Sequence, residues 1–159
     1  MKLKIKDQLP DTEIFQLING EPQKSKLRET IGNGKVVLFG LPGAFTPTCS
    51  AKHLPGYIFF LEQILNKGID KVSCFSVNDP HVMKAWAEHN TIHNIIEMIS
   101  DSDCSFTKEM GLVHDYGPAM GLRCRRFAMV LNNCIVEHLF VEKIGVFEVS
   151  SAQNVLKHL

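Results

Sequence analysis

No Cys-x-x-Cys pair occurs among the five cysteines, which stand at 49, 74, 104, 124 and 134. That absence argues against a dithiol reductase, whose chemistry needs two neighbouring sulfurs. The odd, scattered set argues equally against a disulfide scaffold. An excess of either charge is missing too: 17 basic and 17 acidic side chains leave a formal net charge of zero. Nothing in that balance calls for nucleic acid or an anionic membrane surface as a partner. No apolar run approaches the roughly 18 residues of a spanning helix, so no membrane partner is expected. Met1 to Pro10 alternates lysine with apolar residues and lacks the apolar middle of a signal peptide. Free thiols without a secretion signal point to the cytoplasm, with an organelle as the alternative if a transit peptide has been removed.

What is present fits one α/β domain over residues 1–159, since 45% hydrophobic content supplies a core of adequate size. Strand-like and helix-like segments alternate, and there is no repeat, low-complexity stretch or linker. Glu13 to Ile18 reads as a short strand closed by Asn19-Gly20, and Val36 to Leu41 as a strand covered on both faces. A helix is expected from about 49 to 67, with Leu54, Tyr57, Ile58, Leu61 and Leu65 on its apolar stripe. Pro55 inside it should kink the helix or delay its regular part. Further strands are expected at Val72 to Val77 and Ile95 to Ser100, and helices at about His81 to His89, Ser105 to Met110 and Ser151 to Leu159. Arg126 to Leu131 and Ile135 to Val141 read as a hairpin joined at Asn132-Asn133. Repeated β-α-β units with a terminal hairpin imply a mixed central sheet with helices on both faces.

The segment after the second strand, Pro42-Gly-Ala-Phe-Thr-Pro-Thr-Cys49, carries the chemistry. A buried strand that breaks at Pro-Gly and restarts as a helix leaves Cys49 in the first helical turn. Unpaired amide donors and the positive end of the helix dipole favour a thiolate there. Thr46 lies about one turn earlier, where its hydroxyl can reach the thiol, and Thr46-Pro47 reads as an N-cap and first helical position. A lone cysteine near a strand end is commonly a small buried hydrophobe, and spacing alone leaves both readings open.

The flanking residues carry a resemblance. Pro42-x-x-x-Thr46-x-x-Cys49, continued by His53-Leu-Pro-Gly-Tyr57, resembles the active-site signature of the peroxiredoxins, and more narrowly their type II or peroxiredoxin-5 branch. The likeness extends through Ser76-Val-Asn-Asp-Pro80, Val82-Met-Lys-Ala-Trp86, Ser100-Asp101 and Gly121-Leu-Arg-Cys-Arg-Arg-Phe127. It implies a thioredoxin-like fold and a peroxidase that reduces hydrogen peroxide and small organic hydroperoxides through a sulfenic acid on Cys49. It also implies a homodimer and no bound metal, haem or flavin. A redox sensor that uses the same cysteine is the alternative.

Attack on a hydroperoxide leaves negative charge on the departing oxygen, so a cationic donor is needed beside Cys49. Three of the four arginines, Arg123, Arg125 and Arg126, cluster before a predicted strand. Strand alternation does not say which of them faces the site. By resemblance it is Arg126, directly before Phe127-Ala128-Met129-Val130. Arg123 and Arg125 read as a solvated basic turn. The likeness makes Pro42 a shield for the thiolate, and Gly43 and Ala44 offer backbone amides near the substrate.

The sulfenic acid must be returned to a thiol. Some relatives carry a resolving cysteine near the C-terminus, whereas Glu142 to Leu159 contains none. Cys74 occupies the position where plant-type relatives have a second cysteine, but it lies in a predicted buried strand, where a small core thiol is the preferred reading. Cys104, Cys124 and Cys134 read as packing or surface residues. The expected reductant is therefore external, glutathione with glutaredoxin or, second, thioredoxin. His89 and His93 read as an exposed pair, and Trp86, Phe59, Phe60 and Phe75 as core or subunit contacts; His53, four residues after Cys49, could face the reactive sulfur, with a partly exposed helix residue the preferred reading.

Overall fold

The computed structural model describes residues 2–159. Its centre is a strand set built from β-branched and aromatic runs: β3 (Lys35–Gly40), β4 (Lys71–Ser76) and β5 (Glu97–Ser100) lie parallel in that order. β8 (Phe127–Asn132) pairs antiparallel with β3, and β9 (Ile135–Val141) with β8. On the other side β1 (Glu13–Ile18) meets β5 at Phe15 and pairs along its length with β2 (Glu21–Lys26), giving seven strands ordered β2-β1-β5-β4-β3-β8-β9. A small separate hairpin joins β6 (Val113–Asp115) to β7 (Leu122–Cys124).

Alternation along the central strands divides the core in two. Val37, Phe39 and Leu41 with Ala128 and Val130 face one layer, and Val36 and Leu38 with Phe127, Met129 and Leu131 face the other. The first layer receives α2 (Leu54–Asn66), α3 (Pro80–His89) and α5 (Ala152–Leu156) through Leu54, Tyr57, Ile64, Met83, Trp86 and Val155. The second receives α1 (Leu27–Ile31) and α4 (Ser105–Glu109) through Leu27, Ile31 and Phe106. The mixed sheet with helices on both faces is therefore as the alternation of segments implies.

Several boundaries differ for identifiable reasons. The helix expected from 49 begins at Pro47, passes through a π-helical turn at Cys49–His53, and becomes α-helical at Leu54. Pro55 has no amide to donate and its ring would meet the carbonyl of Ala51, and a wider turn, closed by the Leu54 amide on the Cys49 carbonyl, relieves both. Ile64 rather than Leu65 is the buried residue of the last turn. The β8–β9 turn is Asn133–Cys134, one residue later than expected, with positive φ at both positions as a type I′ turn requires. Four elements have no counterpart in the sequence pattern: β2 (Glu21–Lys26), an edge strand without an apolar side, the short helix α1, and the three-residue β6 and β7. Among the described residues no helix is long and apolar enough to cross a membrane.

Candidate active site

At the carboxyl end of β3 the chain turns sharply at Pro42–Phe45, with Phe45 in the left-handed region at φ 61. Such a conformation costs about 1–2 kcal/mol in a bulky residue. The turn is held from several sides. The Ala44 amide donates to Asn78 Oδ1 at 2.8 Å, Thr46 Oγ1 donates to the Gly43 carbonyl at 2.7 Å, and the Phe45 ring rests near Trp86 and His89. The amide of Ala44 is thus already committed and not free for a substrate. Thr46 likewise does not cap the helix with its side chain: its hydroxyl proton goes to Gly43, and its carbonyl accepts the Ser50 amide at 2.9 Å.

Cys49 lies in the π-turn, 1% exposed, and Arg126 Nη2 donates to its sulfur at 3.3 Å. Arg126 immediately precedes β8 and points to the same layer as Ala128 and Val130, as strand alternation dictates. Its second nitrogen, Nη1, lies 2.9 Å from His53 Nδ1. His53 Nε2 is 3.1 Å from the Ser150 carbonyl, which also accepts from Tyr57 Oη at 3.0 Å. A carbonyl can only accept, so the proton sits on Nε2 and Nδ1 offers its lone pair to Arg126. Phe147 covers the guanidinium at 5.6 Å and meets the His53 ring edge-on. Among the described residues no carboxylate pairs with Arg126, so its charge is left for the sulfur.

These groups open onto a cleft of about 240 Å³ whose lining includes Pro42, Thr46, Cys49 and Arg126 together with Tyr116 and Met120. The four residues expected at the site, Pro42, Thr46, Cys49 and Arg126, are therefore together. Cys74 is not among the lining residues. It is fully buried in β4, opposite Phe39 and Met98, and burial first and the Cys49 sulfur second push its thiol far above the ordinary range.

The Redoxin family profile matches residues 4–156. Peroxiredoxin-2D of Arabidopsis thaliana is 43% identical over 155 residues, with 96% of each chain covered. Reduced Prx3 of Vibrio vulnificus, solved in complex with hydrogen peroxide, superposes with a TM-score of 0.94 at 42% identity over 98% of both chains. The antioxidant protein of Plasmodium falciparum, described as a 1-Cys peroxiredoxin, gives 0.90 at 32% identity, again over 98% of both chains.

The chain is a type II peroxiredoxin. It has the thioredoxin-like fold of that family and belongs to its thiol peroxidases, antioxidant oxidoreductases.

Two expectations about residues of this peroxiredoxin need correction. His53 is fully buried rather than partly exposed, because the widened turn keeps it on the face of Cys49. Arg123 and Arg125 do not form a solvated turn. Arg123 donates to the carbonyls of Met120 and, at 3.4 Å, Pro42, while Arg125 donates to the Glu142 carbonyl at 2.7 Å. Of the aromatics expected as core or subunit contacts, Trp86 and Phe75 are buried and Phe59 is 75% exposed. The cleft walls Tyr116 and Met120 carry no signal in the sequence, since the short β6–β7 hairpin that delivers them has no apolar pattern of its own.

Burial first, and then the charge of Arg126, lower the His53 imidazole to about 3, against a weaker opposing effect of the Ser150 carbonyl. The unfolded chain takes up this proton below its ordinary value near 6.5, the folded chain only near 3. Between those limits the unfolded state binds more protons, so stability rises with pH across the window and is unaffected above it. At 1.36 kcal/mol per unit, His53 should remove about 2–3 kcal/mol of stability between about pH 6.5 and about pH 4.5. His53→Gln can accept from Arg126 and donate to Ser150 without titrating. Denaturant melts at the two pH values should show wild type losing that much more than the variant, and equal losses would contradict the assignment.

Proposed function

We propose that this peroxiredoxin, acting as one domain over residues 1–159, reduces hydrogen peroxide and small organic hydroperoxides with Cys49 as its nucleophile. The Cys49 thiolate attacks one peroxide oxygen, the O–O bond breaks, and its electron pair leaves on the other oxygen, which takes a proton to become water or alcohol. Arg126 stabilises both the thiolate and the charge on the departing oxygen, since its fork can contact sulfur and peroxide together. Thr46 presents its hydroxyl lone pairs to the substrate while its proton is held by Gly43. Pro42 keeps bulk water from the sulfur.

The observation that carries this reading is the 3.3 Å contact of Arg126, which has no carboxylate partner among the described residues, with the Cys49 sulfur. The Vibrio vulnificus relative solved with hydrogen peroxide supports the choice of substrate. No metal, haem or flavin enters the scheme.

The resulting sulfenic acid condenses with an external thiol, releasing water and leaving a mixed disulfide, and a second thiol restores Cys49. Glutathione with glutaredoxin is the donor we favour, with thioredoxin second, and the cytoplasm is the place of action. Cys74 serves as a core residue, since a thiol held far above the working pH is a poor attacking group. The likeness to a 1-Cys peroxiredoxin supports external reduction, and a homodimer is the assembly we propose. In a coupled assay Cys74→Ser should turn over peroxide within about twofold of wild type with glutathione and glutaredoxin, a change too small to mark a chemical role. Abolished turnover in this variant, with the Cys49 mixed disulfide still forming, would make Cys74 part of the cycle. Slow turnover by wild type, together with a disulfide trapped to a client protein, would instead favour a redox sensor.

A further inference from the structure

Glu142, at the end of β9, is 3% exposed and lines the same cleft, yet it makes no ion pair with Arg126. One of its oxygens, Oε1, instead accepts three hydrogen bonds from the chain just ahead: the Glu148 amide at 2.6 Å, the Ser150 amide at 2.8 Å and Ser150 Oγ at 2.8 Å. Bonds to a carboxylate are roughly twice as strong as neutral ones. They bend residues 143–150 back over the site. This segment supplies two things that Arg126 depends on, the Phe147 ring above its guanidinium and the Ser150 carbonyl that fixes the His53 proton.

The backbone of Glu142 is tied to the same pair of arginines. Its amide donates to the Arg126 carbonyl at 3.0 Å and its carbonyl accepts from Arg125. We propose that Glu142 is a positioning residue for the peroxidase reaction, holding Ser150 so that His53 presents its lone pair to Arg126 and Arg126 stays on Cys49. The proposal rests on the reading of Arg126 as the activator of Cys49. If Ser150 drifts, nothing holds the Nε2 proton of His53, the ring is free to turn or change tautomer, and Nδ1 ceases to be an acceptor. Arg126 then loses one of its two anchors.

The probe is iodoacetamide alkylation of Cys49 at neutral pH, which needs neither peroxide nor reductant, together with the rate of oxidation by hydrogen peroxide. Glu142→Met should slow both by about tenfold, equivalent to about 1.4 kcal/mol, while Glu142→Gln, which keeps an acceptor at the same place, should stay within about threefold. In a His53→Leu background Glu142→Met should cost less than about twofold, because the path it acts through is already cut. Wild-type rates in folded Glu142→Met, an equal loss in Glu142→Gln, or an undiminished loss in the His53→Leu background would each overturn the proposal. Should Glu142→Met fail to fold, Ser150→Ala removes one of the three bonds and should slow alkylation by about two- to fourfold, and an unchanged rate there would overturn it as well. Fast alkylation with no peroxide turnover in wild type would sink the peroxidase reading, while the variants would still decide the role of Glu142.

Discussion

Arg126→Met slows the reaction of Cys49 with hydrogen peroxide by about a hundred- to a thousandfold, the range that follows from removing one preorganised donor to a developing anion. Methionine keeps the length and the apolar contact with Phe147, so the slower rate reports charge and hydrogen bonding rather than shape. The substitution removes the hydrogen bond to the Cys49 sulfur at 3.3 Å and leaves His53 Nδ1 without a donor. Because that abandoned partner is a buried, neutral ring, stability should also fall by about 1–3 kcal/mol. Arg126→Lys separates the two effects. An ammonium restores the charge but cannot span sulfur and imidazole as a fork, so an intermediate rate is expected. Stopped-flow measurement of the single-turnover oxidation checks both, and wild-type speed in folded Arg126→Met would remove the arginine from the chemistry.

Cys49→Ser reduces peroxide turnover to the uncatalysed background. A hydroxyl at this position is close to the size of the thiol and can still accept from Arg126, so the fold should survive with a change of about 1 kcal/mol or less. What it lacks is a sulfur that can attack peroxide and take up oxygen. The same substitution at Cys124 or Cys134, buried thiols outside the cleft, should leave turnover unchanged. Substantial activity in Cys49→Ser would show that another residue carries the reaction.

The parts of this molecule legible in the sequence are those whose signal is local. β3, β4 and β8 stand out as continuous β-branched and aromatic runs because both of their faces are buried. Cys49 and Thr46 follow a Pro-Gly break and a Thr-Pro step, a pattern that alone leaves a buried core thiol open, and Arg126 is singled out among three arginines only by the family resemblance. β2 is the opposite case: Glu-Pro-Gln-Lys-Ser-Lys has no apolar side to show, since it forms an exposed edge held by backbone pairing with β1 and by polar surface contacts such as Lys24 with Glu13. His53 is intermediate. Its spacing from Cys49 is visible and puts both on one helix face, but the widened turn and the full burial beside Arg126 are not. Pro55, two residues on, is the available clue. Glu142 has none, because its partners are the backbone of a loop and one serine hydroxyl.

The claim that Cys49 alone takes oxygen from peroxide is tested most directly by the intact mass of the fully reduced protein after one equivalent of hydrogen peroxide, alongside Cys49→Ser and Cys74→Ser. A rapid gain of one oxygen atom, or a glutathione adduct when glutathione is present, seen in wild type and Cys74→Ser and absent in Cys49→Ser, is the predicted result. An oxygen gain that persists in Cys49→Ser, or a loss of two hydrogens that requires Cys74, would contradict it.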